Sequence, residues 1–183
     1  DGTGAGGEFL QTLQQISGTG VYYQNQTYKY ADYSAWFHLV VSFDNSQSGE
    51  INKIKVYVNG TEVSTGEAVS SANPFDDVGL GSTDYDTRLG TYRDNTSYTW
   101  DGYMAEVCLI AGSTLDADSF GKTDSASGIW VPKDVSGLTF GTNGWYMEFK
   151  QSGTGTNSSG IGADTSGNDN HFAVSNLAAI DQT

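Results

Sequence analysis

The stretch WFHLVVSFDNSQSGEINKIKVYVNGTEV, Trp36 to Val63, decides the fold class of this chain. From Trp36 to Phe43 the alternate residues Phe37, Leu39, Val41 and Phe43 are apolar, the period of two that places side chains on one face of a strand. From Ile51 to Val58 the alternation returns: Ile54, Val56 and Val58 face one way, and Lys53, Lys55 and Tyr57 the other. Asn59-Gly60 then supplies two residues that tolerate positive φ, which a two-residue type I′ hairpin turn needs. The pattern predicts a half-buried antiparallel sheet.

The rest of the chain agrees with that start. Its 183 residues suit one domain with a substantial core. Gly, Ser, Thr, Asn and Asp are abundant and aromatics plentiful, but there are only 2 prolines, a mix that favours short strands joined by polar turns. No apolar run approaches the length of a membrane span, no signal peptide is visible, and no membrane partner is expected. A start at Asp1 rather than Met reads as a piece processed or excised from something longer. The net charge of −14, from 22 acidic and 8 basic residues, lacks the basic footprint of a nucleic-acid binder. It fits solubility first, and carboxylates that hold divalent cations second. Cys108 is the sole cysteine, so it forms no internal disulfide and reads as a buried, inert thiol.

Along the chain, the Gly-rich opening marks residues 1–20 as a linker or N-terminal edge segment, ahead of a domain over 21–183. Glu8 to Ile16 fits either a helical face (Phe9, Leu13, Ile16) or a strand, and strand is favoured because Val21–Tyr23 and Tyr28–Tyr30 are strand-like. Residues 64–98 read as loops with a short strand around Thr87 to Tyr92. Gly102 to Ala111 is the second strong strand, apolar on both faces apart from Glu106 and so covered on both. One helical turn is expected within Thr114–Phe120, capped by Ser113 or Thr114, and further strands at Trp145–Phe149 and His171–Leu177. Trp36 and Trp145 each open a strand and are expected in the core. The predicted architecture is one all-β domain, a two-sheet antiparallel sandwich.

Two groups of residues are candidate sites. In Gly162 to Asn170, oxygens of Asp164, Asn168 and Asp169 around a glycine could wrap calcium, although the terminal Glu of an EF-hand is missing. A turn locked by Asp and Asn side chains bonding to nearby backbone competes with that reading and is favoured over it. Asp84 and Asp86, near Asp76-Asp77, read as solvated loop. The loop-borne aromatics Tyr92, Tyr98, Trp100, Trp130 and Tyr146 are candidates for stacking on sugar rings. Of these, Tyr92, Tyr98 and Trp100, with Asp101, form the candidate carbohydrate-binding set; for these rings a surface role and packing weigh equally. His38 and His171 lie in no metal-ligand spacing and read as structural.

Several pieces, in order, carry a family resemblance: Trp36-Phe37-His38, then Val56-Tyr57-Val58-Asn59-Gly60, then Trp100-Asp101-Gly102-Tyr103-Met104-Ala105-Glu106-Val107. Phe120-Gly121, Gly128-Ile129-Trp130-Val131-Pro132-Lys133, Gly141-Thr142-Asn143-Gly144-Trp145-Tyr146 and Asp164 to Asn170 follow. Over residues 28–183 the chain resembles the concanavalin A-like, laminin-G-like domains of tailed-bacteriophage virion structural proteins. The resemblance implies a jelly roll exposed on the virion surface, in a fibre, appendage or capsid decoration, that adheres to host glycan or to other virion subunits. Such domains usually carry more strands ahead of Trp36, so the jelly roll is expected to be incomplete on its N-terminal side. The open edge would then dock a homo-oligomer. Glycoside hydrolases of this fold place Glu and Asp at alternate positions of one strand. Here Glu106 and Glu148 each stand alone, and no Gly-x-Ser-x-Gly, P-loop or zinc motif occurs. Catalysis is not expected.

Overall fold

The structure, a computed structural model, describes residues 10–16, 19–25, 32, 34–48, 50–63, 67–69, 87–92, 95–100, 102–178 and 181. The strands are β1 (Leu10–Ile16), β2 (Thr19–Asn25), β3 (Leu39–Phe43), β4 (Ile54–Val58), β5 (Thr61–Glu62), β6 (Glu67–Val69), β7 (Thr91–Tyr92), β8 (Asn95–Thr99), β9 (Val107–Leu109), β10 (Gly121–Thr123), β11 (Trp130–Pro132) and β12 (Trp145–Met147). Among the described residues every pairing of named strands is antiparallel, and helix is confined to short 3₁₀ turns. None is long and apolar enough to cross a membrane. The chain divides into two compact units, one from Asp1–Val78 and Thr114–Val135, the other from Gly79–Ser113 and Ser136–Thr183.

In the first unit, β1 and β2 pair along their full length, from Leu10 opposite Asn25 to Ile16 opposite Thr19, and β6 extends the sheet beyond β2. The Glu8–Ile16 ambiguity thus resolves as strand over Leu10–Ile16, inside the 1–20 segment, and two strands precede Trp36. The Tyr28–Tyr30 strand lies outside the described residues.

The second sheet of this unit has the order β3-β4-β5. Val41 pairs with Val56 and Phe43 with Ile54, so the apolar faces of the two strands coincide. Ile54, Val56 and Val63 form the buried cluster, and Val41, Phe43 and Val58 pack against it. Asn59 (φ 49°) and Gly60 (φ 78°) make the two-residue turn that sets Val58 opposite Thr61. That turn is tied to the approach to β3: His38 N donates to Asn59 Oδ1 at 2.8 Å, and Asn59 N donates to His38 O at 2.9 Å.

Trp36 departs from expectation. The ladder begins at Leu39, so the alternation that was to bury Trp36 does not extend to it, and Trp36 is 66% exposed. Val40 and Ser42, on the opposite face of β3 from the cluster, are buried as well, so β3 is covered on both sides where sequence predicted one. Trp130 also departs, from a candidate sugar-stacking ring to a packing residue. A Cβ on Gly60 would lie 2.4 Å from its indole and one on Gly121 2.5 Å, so the ring rests in space that two glycines leave open. Its Nε1 donates to His38 Nδ1 at 3.2 Å. Burial holds the His38 imidazole below its ordinary pKa. The expected helical turn is a 3₁₀ turn at Ala117–Ser119, preceded by Asp116 rather than capped by Ser113 or Thr114.

In the second unit, β9 and β12 pair through Trp145–Leu109, Tyr146–Cys108 and Met147–Val107. All three β12 residues are buried. Tyr146 stacks on Phe140 with centroids 5.9 Å apart, and Trp145 meets Phe172 edge-on at 4.9 Å. Trp145 is therefore core as expected, and Tyr146 is core rather than a surface ring. Both strands are shorter than the hydrophobicity suggests. Glu106 (φ 53°) breaks the extension before β9, and Phe149 (φ 55°) does so after β12. Tyr103, expected inside a doubly covered strand, is 66% exposed. His171–Leu177 forms no strand; Phe172 N donates to Gly162 O at 2.8 Å instead. The Cys108 thiol, half-buried on β9, is pushed up to about 11, first by burial and then by Glu106, which fits an inert side chain.

Candidate functional site

The Gly162–Asn170 cluster is built around Asp164, which is buried. Its Oδ1 accepts from Tyr146 N at 2.8 Å and Ser166 N at 2.9 Å. Its Oδ2 accepts from Ser166 Oγ and Asn170 N, both at 2.9 Å. Burial by itself would raise the carboxyl pKa. The N–H bonds from Tyr146, Ser166 and Asn170, with the Ser166 hydroxyl, together outweigh it and hold the group below the usual carboxylate range. The Asp164 N–H in turn donates to His171 Nδ1 at 2.9 Å, which makes His171 structural, with Nδ1 as the acceptor nitrogen.

Asn168 and Asn170 face the other way. Asn168 Nδ2 donates to Gly141 O at 2.7 Å and Gly144 O at 2.9 Å. Asn170 Nδ2 donates to Thr142 O at 3.1 Å and Gly144 O at 2.9 Å. The loop thereby satisfies the carbonyls of Gly141, Thr142 and Gly144 and the Tyr146 N–H of β12. Asp169 is exposed, and its Oδ1 lies 3.7 Å from His171 Nε2. The three candidate calcium ligands thus point to three different tasks. As placed the residues form a locked turn, and a cation at Asp164 would have to displace four donors. Among the described residues no group of three or more His, Cys, Asp and Glu is placed to hold a metal ion. Sequence reading missed Ser166, Asn170 and His171 as members of this network. The alternation Asp164-x-Ser166-x-Asn168-x-Asn170 was the available signal.

The aromatic candidates lie on the β7–β8 hairpin of the same unit, where Thr91 pairs with Thr99 and Tyr92 with Asn95 across a bulge. The side chains of Tyr92 and Tyr98, and Asp101 as a whole, lie outside what the structure describes. Trp100 follows β8. Its N–H donates to Gly90 O at 2.7 Å, and Gly90 (φ 78°) takes a conformation that favours glycine. The indole edge passes beside Gly102, where a Cβ would come within 3.2 Å of Nε1. The ring is 54% exposed, with exposed Tyr103 and Met104 following it.

Comparison with known protein families matches residues 4–118 to the concanavalin A-like lectin/glucanases superfamily. The match starts ahead of residue 28, where the resemblance in sequence began, and takes in β1 to β9. No curated protein and no solved structure matches the chain. With antiparallel sheets, almost no helix and a match over more than half its length, the chain belongs to the concanavalin A-like lectin/glucanase superfamily, an all-β jelly-roll class.

Proposed function

We propose that this chain is a non-catalytic, lectin-like adhesion domain, exposed on a bacteriophage virion in a fibre or appendage, that attaches to host-surface glycan. The observation that carries the glycan part is Trp100: a large ring left half in solvent, on a backbone tied to Gly90 and beside Gly102. Exposed rings of this kind stack on the C–H faces of sugars. The family supports a lectin or glucanase-like scaffold. The virion setting rests on the order of the sequence pieces from Trp36 to Asn170. The non-catalytic part is supported by Glu148, whose carboxylate pairs with Lys150 rather than facing a second carboxylate. Single-site affinity would be weak and would gain strength from many copies in a homo-oligomer.

A second reading, an assembly module that binds only other virion subunits, draws on the exposed Trp36, Leu39 and Ile129 of the first unit. Glycan-array binding by the wild-type chain, lost in Trp100→Ala with the circular-dichroism spectrum unchanged, is the expected outcome. Array binding that Trp100→Ala leaves intact would count against the proposed site. An array silent for both proteins, with the domain located at a subunit contact by virion imaging, would favour the assembly module.

A further inference from the structure

Within the first unit, the Trp130 indole joins the β10–β11 hairpin to the β4–β5 turn. It lies over Gly60 of that turn and over Gly121 of its own paired strand, in space that a Cβ at either glycine would fill. A directed bond fixes it there: Nε1–H donates to His38 Nδ1 at 3.2 Å, with the two rings tilted by 43°. His38 is itself clamped to the turn, because its backbone N–H and C=O both bond to Asn59. The bond to the indole has one sense only. An indole nitrogen donates and cannot accept, so His38 holds it as a neutral ring with the proton on Nε2. Protonation sets a second N–H against the first. The contact lies at the indole's N–H edge, the positive rim of the ring, so the imidazolium gains no cation–π attraction in exchange.

The titratable groups around the pair supply no substitute. On the segment that carries His38, Asp32 is held by Ser34, and Asp44 by Ser46 and Gln47. On β4 and β5 stand Lys55, Tyr57 and Glu62. Lys55 and Tyr57, with Asp116, line a polar cleft of about 220 Å³ on the face of β3 and β4 opposite the apolar cluster. On the hairpin, Lys122 is paired with Val131, on the face opposite Trp130. Asp124 is held by Ser127, and Lys133 Nζ donates to Asp118 O. None of these charges acts on the imidazole, whose pKa is lowered by burial alone. We propose that His38 and Trp130 form an acid-sensitive latch: neutral His38 holds the β10–β11 hairpin on the β4–β5 turn, and protonation frees the hairpin while the β3–β4–β5 sheet stays folded. Once freed, the indole joins its neighbour Ile129, already 64% exposed, in an apolar patch on the hairpin. The closed state binds the proton more weakly, so the latch is complete above about pH 6.5 and is lost as pH falls through the folded value. Within that interval the opening equilibrium rises by up to about tenfold per pH unit. The latch stands apart from the glycan-binding reading and does not depend on it.

The test is an NMR titration of the isotopically labelled full chain from about pH 8 to about pH 5. The Gly60 and Gly121 Hα atoms lie against the indole and carry its ring-current shift. Those shifts are expected to collapse together with the His38 ring titration, at one midpoint below about pH 6.5, while the circular-dichroism spectrum is unchanged. His38→Asn keeps an acceptor at the Nδ1 position and cannot titrate, so both shifts are expected to persist across the range. Trp130→Phe keeps a ring over the glycines and removes only the N–H. In that variant the His38 midpoint is expected to rise by about 0.5–1 pH unit. The proposal is overturned if the Gly60 and Gly121 shifts survive full protonation of His38, or if they collapse only with the circular-dichroism signal. It is equally overturned if His38→Asn loses them at the wild-type midpoint, or if Trp130→Phe leaves the His38 titration unmoved. Because that last readout is on His38 itself, it decides the matter even where His38→Asn does not fold.

Discussion

The β3–β4–β5 sheet and the Asp164–Asn170 loop are both ordered, but by opposite means. The sheet is held by area removed from water: Ile54, Val56 and Val63 are almost wholly buried, and the polar face opposite them carries the cleft. The loop has little apolar surface of its own and is held by directed bonds, with one buried carboxylate collecting four donors and two amides collecting carbonyls. The contrast shows how a chain rich in Gly, Ser, Asn and Asp can order a long polar segment. A buried anion with all its acceptor positions filled takes the place of a hydrophobic contact, and removing that anion orphans every donor at once.

The largest effect is therefore expected from Asp164→Ala, which leaves the Tyr146, Ser166 and Asn170 N–H groups without their acceptor. A loss of about 3–5 kcal/mol in urea unfolding is expected, with Asp164→Asn intermediate. Ile54→Ala comes next, at about 2–4 kcal/mol for a large side chain deleted from a buried cluster. If Asp164→Ala proves milder than Ile54→Ala, the loop is an accessory and the contrast fails. Gly60→Ala is expected to cost about 1–3 kcal/mol, because it adds a Cβ at positive φ and against the Trp130 ring. A red-shifted tryptophan emission would report the displaced indole.

Acid should separate the two regions by pH. His38 is depressed in the folded state, so the unfolded chain takes the proton first as pH falls. The stability tied to neutral His38 is complete above about pH 6.5 and declines from there down through the folded pKa. Asp164 is also depressed: its contribution is intact above the ordinary carboxyl pKa, about 3.9, and is lost as pH falls through its folded value. Two acid transitions are expected, the higher one removed by His38→Asn and the lower one by Asp164→Asn. The smallest expected effect is that of added calcium, because the Asp164 oxygens already accept four hydrogen bonds. A melting temperature unchanged in millimolar calcium agrees with a locked turn, whereas a rise abolished by Asp164→Asn would convert the loop to a metal site.

Legibility in sequence followed the range of the interaction. The β4–β5 turn was readable because Asn59-Gly60 and the Ile54, Val56, Val58 alternation are local, and local sterics favour the φ of 49° and 78° found there. Strand ends were less readable: nothing in GYMAEVCLIA marks Glu106 as the residue at which extension stops. Core membership of the aromatics was least readable. Trp36 and Trp130 both sit in strand-like patterns, yet one is exposed and the other packs over Gly60, far from it in the chain, and over Gly121 on the paired strand.

By itself the sequence determined the all-β class, the central hairpin and the composition that confines order to short strands and polar turns, because those depend on side-chain alternation and on φ preferences within a few residues. The tertiary structure alone decided that Asp164 is a buried acceptor for four donors, that Trp130 is packing while Trp100 is exposed, and that Lys55, Tyr57 and Asp116 share one cleft. Those outcomes depend on which distant donors, glycines and charges meet, and a linear pattern does not record such meetings.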